Sequence, residues 1–291
     1  NDYFVTEACE YMDSFLHLTP TIGVLLNIDS DHLDYFKDIE HIVKSFKEFV
    51  MNIPKKGIVI AFGENPFVKE ALKGLTNVIT YGYTSSNDFY AENISFDDNG
   101  FPEYDICHEG KVLCHLHLGI PGEHNVLNSM AAYVTSSYLG VNDEVIASTL
   151  KAFRGTHRRF DFTGVTRNGV RIVDDYAHHP TEIKATLAAA SNVKHNKLRV
   201  VFQPHTYTRT KALFDDFIDS FDHVDSLIIT DIYAAREKDV YGVSSYQLVN
   251  AIKAKHPDRE AYYVQDFEDI VKYLSANAEE GDIVMTMGAG D

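Results

Sequence analysis

VRIVDDYAHHPTE, residues 170–182, reads as a strand that ends in polar side chains and turns straight into a helix. Val170–Val173 is a short apolar run. Pro180 suits the first position of a helix, where its missing N–H has no intrahelical partner to lose. A helix over Pro180–Ala190 follows. Downstream, strands at Leu198–Phe202, Ser226–Thr230, Ala261–Val264 and Asp282–Met287 alternate with helices at Arg209–Phe221, Ser244–Lys255 and Phe267–Leu274. That alternation predicts an α/β domain with a doubly wound, mainly parallel sheet. Its ligand site should lie beyond the carboxyl ends of the strands.

Upstream, Phe153-Arg-Gly-Thr-His-Arg-Arg159 is a polar stretch without periodicity and the candidate boundary between domains 1–157 and 158–291. In the first domain, Phe4–Val5 reads as a short strand and Thr21–Leu26 as a strand buried on both faces. Apolar Ile42, Val43, Phe46, Phe49 and Val50 fall at helical spacing within Ile39–Met51. Gly57–Phe62 and Val78–Tyr81 are further strands and Pro66–Leu72 a helix, again implying a mainly parallel sheet. Between Phe89 and His117, alternating runs such as KVLCHLHL (111–118) suggest antiparallel strands. Helices at Val126–Leu139 and Asp143–Ala152 close the domain. The chain begins Asn1-Asp2 without a Met, at once before the strand-like segment, so an upstream continuation is expected.

The 291 residues suffice for two domains, and 45% hydrophobic residues supply their cores. A formal net charge of -17 argues against nucleic-acid or anionic-membrane partners, which require a basic face. Cys9, Cys107 and Cys114 form no C-x-x-C pair, which suits a reducing, cytoplasmic setting. No run approaches the roughly 18 apolar residues of a membrane span, and no signal peptide is expected.

Polar clusters stand where the strands end. In Asp174-Asp175-Tyr-Ala-His178-His179-Pro-Thr-Glu182, carboxylates and imidazoles precede a helix N-terminus, a place for polar substrate atoms or proton transfer. A capped turn with solvated histidines explains the same residues. Gln203-Pro-His205-Thr-Tyr-Thr-Arg209 follows the next strand, and Arg209 is suited to fork a carboxylate or phosphate. Asp231-Ile-Tyr-Ala-Ala-Arg236-Glu237 follows the third. In the first domain, Glu7 and the Asp29/Asp31/His32/Asp34 group suit Mg²⁺, which takes few protein ligands and keeps water or phosphate oxygens. Otherwise they are a solvated acidic loop. His124-Asn125-x-x-Asn128 offers amides for a purine edge, and Arg158-Arg159 could neutralise phosphates. His115 and His117 share a strand face, as metal donors or as solvated side chains. No G-x-x-x-x-G-K-[ST] loop, G-x-G-x-x-G after a strand, G-x-S-x-G or H-E-x-x-H occurs.

Together FVTEACEY (4–11), NIDSDHLD (27–34), GEHNVLN (122–128), RRFD (158–161), DDYAHHPTE (174–182), QPHTYTRT (203–210), DIYAAREK (231–238) and MGAGD (287–291) resemble the Mur ligase family, in its order and across essentially the whole chain. The resemblance implies an incomplete P-loop-type ATPase domain followed by a Rossmann-like C-terminal domain. A UDP-sugar-binding domain and the phosphate loop would lie upstream. DDYAHHPTE followed by QPHTYTRT is similar to the branch that joins L-alanine to UDP-N-acetylmuramate through an acyl phosphate, with ATP and Mg²⁺. The murein tripeptide-recycling branch shares much of the pattern. By resemblance, Glu7 and His32 would meet Mg²⁺, Asn125 and Asn128 the adenine, Arg159 the ATP phosphates, and Asp174 or Asp175 the ribose. His178, His179, His205 and Arg209 would face the amino acid and the muramoyl carboxylate. Many relatives have Arg where Thr206 stands, and no lysine near 44–47 matches the carbamylated lysine of sister ligases. This chain by itself is expected to be inactive as a ligase. A metal-dependent phosphohydrolase built on Glu7, Asp31 and His32, or a non-catalytic nucleotide-binding module, are the competing readings.

Overall fold

The computed structural model describes residues 2–33 and 35–290, so Asp34 of the acidic cluster and Asp291 of MGAGD lie outside the described residues. The chain forms two compact units. The first comprises Asn1–Ser95, Glu103–His117 and His124–Ala152; the second comprises Phe96–Pro102, Leu118–Glu123 and Phe153–Asp291. The two short stretches group with the second unit through its own hydrogen bonds. Gly122 N donates to Gly100 O, and Lys194 N to Asp98 O.

The first unit is built on a six-stranded sheet in the order β1-β2-β3-β4-β5-β6. These are Ile22–Leu25, Ile58–Phe62, Val78–Gly82, Phe89–Phe96, Pro102–His108 and Lys111–His117. β1 to β4 pair in parallel, whereas β5 and β6 form an antiparallel hairpin turned at Glu109-Gly110, both with positive φ. Its helices are α1 (Ile39–Met51), α2 (Pro66–Ala71), α3 (His124–Tyr138) and α4 (Asp143–Ala152). Asp38 caps α1 by accepting from His41 N, and Asn65 caps α2 from Phe67 N and Val68 N. α1 and α2 bury Ile42, Phe49, Val50 and Val68 with Val59 and Ala61 of β2.

Two strand expectations fail here. Phe4–Val5 is not a strand: both side chains are exposed, so no packing offsets the cost of ordering them. β1 is not buried on both faces, since it lies at the sheet edge with Val24 exposed.

The second unit holds a six-stranded sheet in the order β11-β10-β9-β12-β8-β7. Its strands are β7 (Asp161–Val165), β8 (Arg171–Asp175), β9 (Leu198–Phe202), β10 (Ser226–Ile229), β11 (Glu260–Tyr263) and β12 (Ile283–Met287). All pair in parallel except β7, an antiparallel edge strand that the apolar pattern did not show. β7 is mostly exposed, so it lacks the buried run that marks its neighbours. The helices are α5 (Pro180–Ser191), α6 (Tyr207–Ala212), α7 (Phe214–Ile218), α8 (Ser245–Lys255) and α9 (Phe267–Asn277). The single helix expected over Arg209–Phe221 is two, broken at Leu213, where φ −109 and ψ 24 leave the helical region. The core packs Val173, Leu187, Val200, Phe202, Phe217, Leu227, Leu248 and Met285.

Register places the site. Met287 of β12 is level with Asp175 of β8 and Phe202 of β9, and Phe202 is level with Ile229 of β10. The segments that follow these four strands therefore leave the sheet side by side. β8 leads through α5 to β9, the chain steps on through β10 to the edge at β11, and β12 then returns between β9 and β8.

Candidate active site at the carboxyl ends of β8, β9, β10 and β12

The Asp174-Asp175 pair divides by strand alternation. Asp175 is buried and turned inward, accepting from Phe160 N (2.8 Å) and Ala177 N (2.7 Å). Burial pushes its carboxyl up from the usual carboxylate range, against these N–H donors. Asp174 points the other way, to Arg158 Nε (3.2 Å) and Thr286 Oγ1 (2.6 Å). Arg158 also donates to Gly288 O (2.7 Å), tying β8 to the end of β12.

His179 is the N-cap of α5, its Nδ1 accepting from Thr181 N (3.2 Å), and is buried. Glu182 Oε2 completes the capping box, accepting from His178 N (3.0 Å) and His179 N (3.3 Å). The same oxygen lies 3.3 Å from His178 Nδ1, and Oε1 lies 3.5 Å from Arg159 Nη1. Burial raises the Glu182 carboxyl, but the His178 charge, the Arg159 guanidinium and the two N–H donors hold it below its ordinary value.

His178 and His205 meet edge to face with ring centroids 5.8 Å apart. His205 stacks on Tyr233 at 5.6 Å, and the two residues are joined by a parallel β-bridge. Arg209 Nη1 donates to His205 O (2.9 Å) and lies 3.3 Å from its Nδ1. Burial first, then the charges of Arg209 and His178, lower the His205 pKa below its ordinary value, which favours the neutral ring at neutral pH. The His205–Thr206 peptide is cis. Glu237, from the segment after β10, accepts from Thr206 Oγ1 (2.6 Å), Thr208 N (2.9 Å) and Thr208 Oγ1 (2.5 Å). Gly288 and Gly290 sit against Gln203, where a Cβ would come within 2.7 Å of its carbonyl oxygen and 2.3 Å of its side-chain oxygen. The turn after β12 therefore needs glycine to pass β9.

His178, His205 and Arg209 thus converge, whereas His179 is committed to a helix cap and Asp175 to the core. Glu182 and Glu237 carry no role in the sequence reading although both stand in its motifs. The spacing of His179 and Glu182, which matches a capping box, was the available signal.

In the first unit, His32 has φ +53 and packs 4.7 Å from Tyr11. The carboxylates beside its Nε2 are Glu10 (3.5 Å) and Asp31 (4.0 Å), while Glu7 is exposed. Among the described residues no group of three or more His, Cys, Asp or Glu is arranged to hold a metal. One imidazole with nearby carboxylates still matches in donor type a cation that keeps most of its water. Asn125 and Asn128 stand on the first turns of α3, Asn128 Nδ2 donating to Asn125 Oδ1 (3.1 Å). His115 pairs with Asp105 (2.9 Å) and His117 with Glu103 (3.2 Å) across the β5–β6 hairpin. Among the described residues no helix is long and apolar enough to cross a membrane.

The second unit gathers histidines, arginines and carboxylates beyond the carboxyl ends of β8, β9 and β10. The model of the Mur ligase middle domain matches residues 1–136, and that of the Mur ligase glutamate ligase domain matches residues 158–290. The chain belongs to the Mur ligase family. It is 52% identical over its whole length to a UDP-N-acetylmuramate--L-alanine ligase of Alkaliphilus metalliredigens and 50% identical to that of Caldanaerobacter subterraneus subsp. tengcongensis, covering 63% of each. The crystal structure of the UDP-N-acetylmuramate-alanine ligase MurC from Thermotoga maritima matches with a TM-score of 0.76 at 25% identity, over 96% of this chain and 58% of that one. The chain therefore spans less than two thirds of the length of these relatives.

Proposed function

We propose that this chain supplies the middle-domain and C-terminal portions, 1–157 and 158–291, of a cytoplasmic ATP-dependent ligase that joins L-alanine to UDP-N-acetylmuramate. The convergence of His178, His205 and Arg209 carries the reading, with the high identity to relatives of that name. A carboxylate is a poor acyl donor because its leaving group is oxide. Attack of the muramoyl carboxylate oxygen on the γ-phosphorus of ATP releases ADP and leaves an acyl phosphate. Attack of the alanine amine on its carbonyl then expels phosphate, and the amine loses a proton.

Arg209 binds a carboxylate by its planar fork. His178 and His205 line the same place, where a neutral imidazole accepts the amine proton. Arg159 faces ATP phosphates, Asp174 rather than the buried Asp175 meets the ribose, and Asn125 and Asn128 meet the adenine. His32, with Glu7 or the nearer Glu10 and Asp31, would hold Mg²⁺, which supplies charge neutralisation for phosphoryl transfer. The test measures phosphate release by the complete polypeptide carrying these residues. Release that requires both UDP-N-acetylmuramate and L-alanine is expected. Release without any amino acid would instead indicate a phosphohydrolase, and a requirement for murein tripeptide the recycling activity.

A further inference from the structure

Glu182 does more than its place in the helix demands. A residue at the third position of α5 needs one carboxylate oxygen to complete a capping box, and Oε2 does this through the N–H groups of His178 and His179. The second oxygen, Oε1, reaches Arg159 at 3.5 Å, and Oε2 also lies 3.3 Å from His178 Nδ1. Tyr176 reinforces the connection. The Arg159 guanidinium lies 5.4 Å from its ring centroid, and the His178 ring meets the same ring edge-on at 5.3 Å.

Resting on the ligase reading above, we propose that Glu182 is a positioning residue that couples the arginine facing the ATP phosphates to the histidine facing the incoming amine. The physical basis is the division of one carboxylate between two partners. His178 Nδ1 lies 3.0 Å from Tyr176 O and 3.3 Å from Glu182, both acceptors. A proton on Nδ1 satisfies them and makes Nε2 the basic nitrogen of the neutral ring. Near this imidazole stand the carboxylate of Glu182 in the first turn of α5, the guanidinium of Arg159 before β7, and, after β9, the ring of His205 with the guanidinium of Arg209 beside it. Among these, Glu182 is the anion that offsets the cations. When phosphate draws Arg159 toward itself, Glu182 is released from one partner and bears more fully on His178. Nucleotide binding and amine activation are thereby linked through about two hydrogen-bond lengths of protein.

The test is made on the complete polypeptide carrying these residues, with each substrate varied in turn. Arg159→Gln changes a half-exposed side chain and does not threaten folding. It is expected to raise the KM for ATP and, because Glu182 is then released to His178 whether or not phosphate is bound, to lower the KM for L-alanine about threefold to tenfold. Glu182→Gln, isosteric but neutral, is expected to raise the L-alanine KM about tenfold and to abolish the further effect of Arg159→Gln on that constant. An Arg159→Gln effect confined to ATP, or effects of the two substitutions that multiply independently, would overturn the coupling and leave Glu182 as a helix cap. Should Glu182→Gln fail to fold, the L-alanine KM of Arg159→Gln alone decides. Phosphate release that ignores L-alanine in the unmodified polypeptide would refute the ligase reading itself, a different failure from loss of coupling.

Discussion

Glu237 grips Thr208 at two points, accepting from its backbone N–H at 2.9 Å and its hydroxyl at 2.5 Å, and so pins the segment after β10 to the first turn of α6. Thr206 adds a third bond at 2.6 Å. Burial raises the Glu237 carboxyl, but these donors hold it below its ordinary value. A depressed carboxyl contributes stability that is present above the unfolded pKa of about 4.3 and lost as pH falls through the folded one. Glu237→Ala is expected to cost about 1 kcal/mol near neutrality, discounted for its partial exposure, and less at an acid pH below the folded pKa. Thermal unfolding at both pH values checks this; an equal loss at both would contradict it.

A second carboxylate lies at the opposite end of the same sheet. Asp282 is buried and holds Arg199 Nε at 2.8 Å, while also accepting from Lys197 N (3.2 Å) and Glu279 N (3.1 Å). Removing one member of such a pair strands the other, so Asp282→Ala is expected to destabilise the second unit by about 3–5 kcal/mol. Chemical denaturation measures it. Burial raises the Asp282 carboxyl, but the Arg199 bond and the N–H donors keep it low, so this contribution is present above about pH 4 and declines in acid. A loss below 1 kcal/mol would show the pair to be solvated.

The two neighbours Asp174 and Asp175 should behave oppositely. Asp175→Ala leaves the buried N–H groups of Phe160 and Ala177 without their acceptor, at about 1–3 kcal/mol each. Asp174→Ala removes an outward carboxylate and is expected to raise the KM for ATP with little change in unfolding temperature. Calorimetry and steady-state kinetics on the two variants separate the roles, and the reverse pattern would exchange them.

The parallel strands were legible because burial on both faces makes their sequences mostly apolar, as in LRVVF at 198–202, all buried, where Arg199 is the one charged residue. β7 was not, because an exposed edge strand has no such signature. The motif residues were legible as a set, since the polar clusters after β8, β9 and β10 must gather once the strands align. Their individual duties were not. Which of Asp174 and Asp175 turns inward depends on pleat register, and whether His179 meets substrate or caps α5 depends on backbone angles that composition leaves open. The pairing of Glu237 with Thr206 and Thr208 spans about thirty residues and follows from sheet order alone.

Arg209 offers the sharpest functional test. Its Nη1 is anchored on His205 O at 2.9 Å, which aims the guanidinium beside His205 and its neighbour His178. Thr206 directs its hydroxyl to Glu237, so it supplies no second fork to this place. Lysine in place of Arg209 keeps the charge but offers a point donor that cannot both hold the His205 carbonyl and pair a carboxylate in plane. Losing one charge-assisted hydrogen bond costs about 1.5–3 kcal/mol, which lowers kcat/KM roughly tenfold to hundredfold. In the complete polypeptide, Arg209→Lys is therefore expected to impair use of UDP-N-acetylmuramate or L-alanine to that extent, with the KM for ATP nearly unchanged. Initial rates with each of the three substrates varied in turn provide the measurement. A change confined to ATP would move Arg209 to the nucleotide and leave the two histidines to bind the acid.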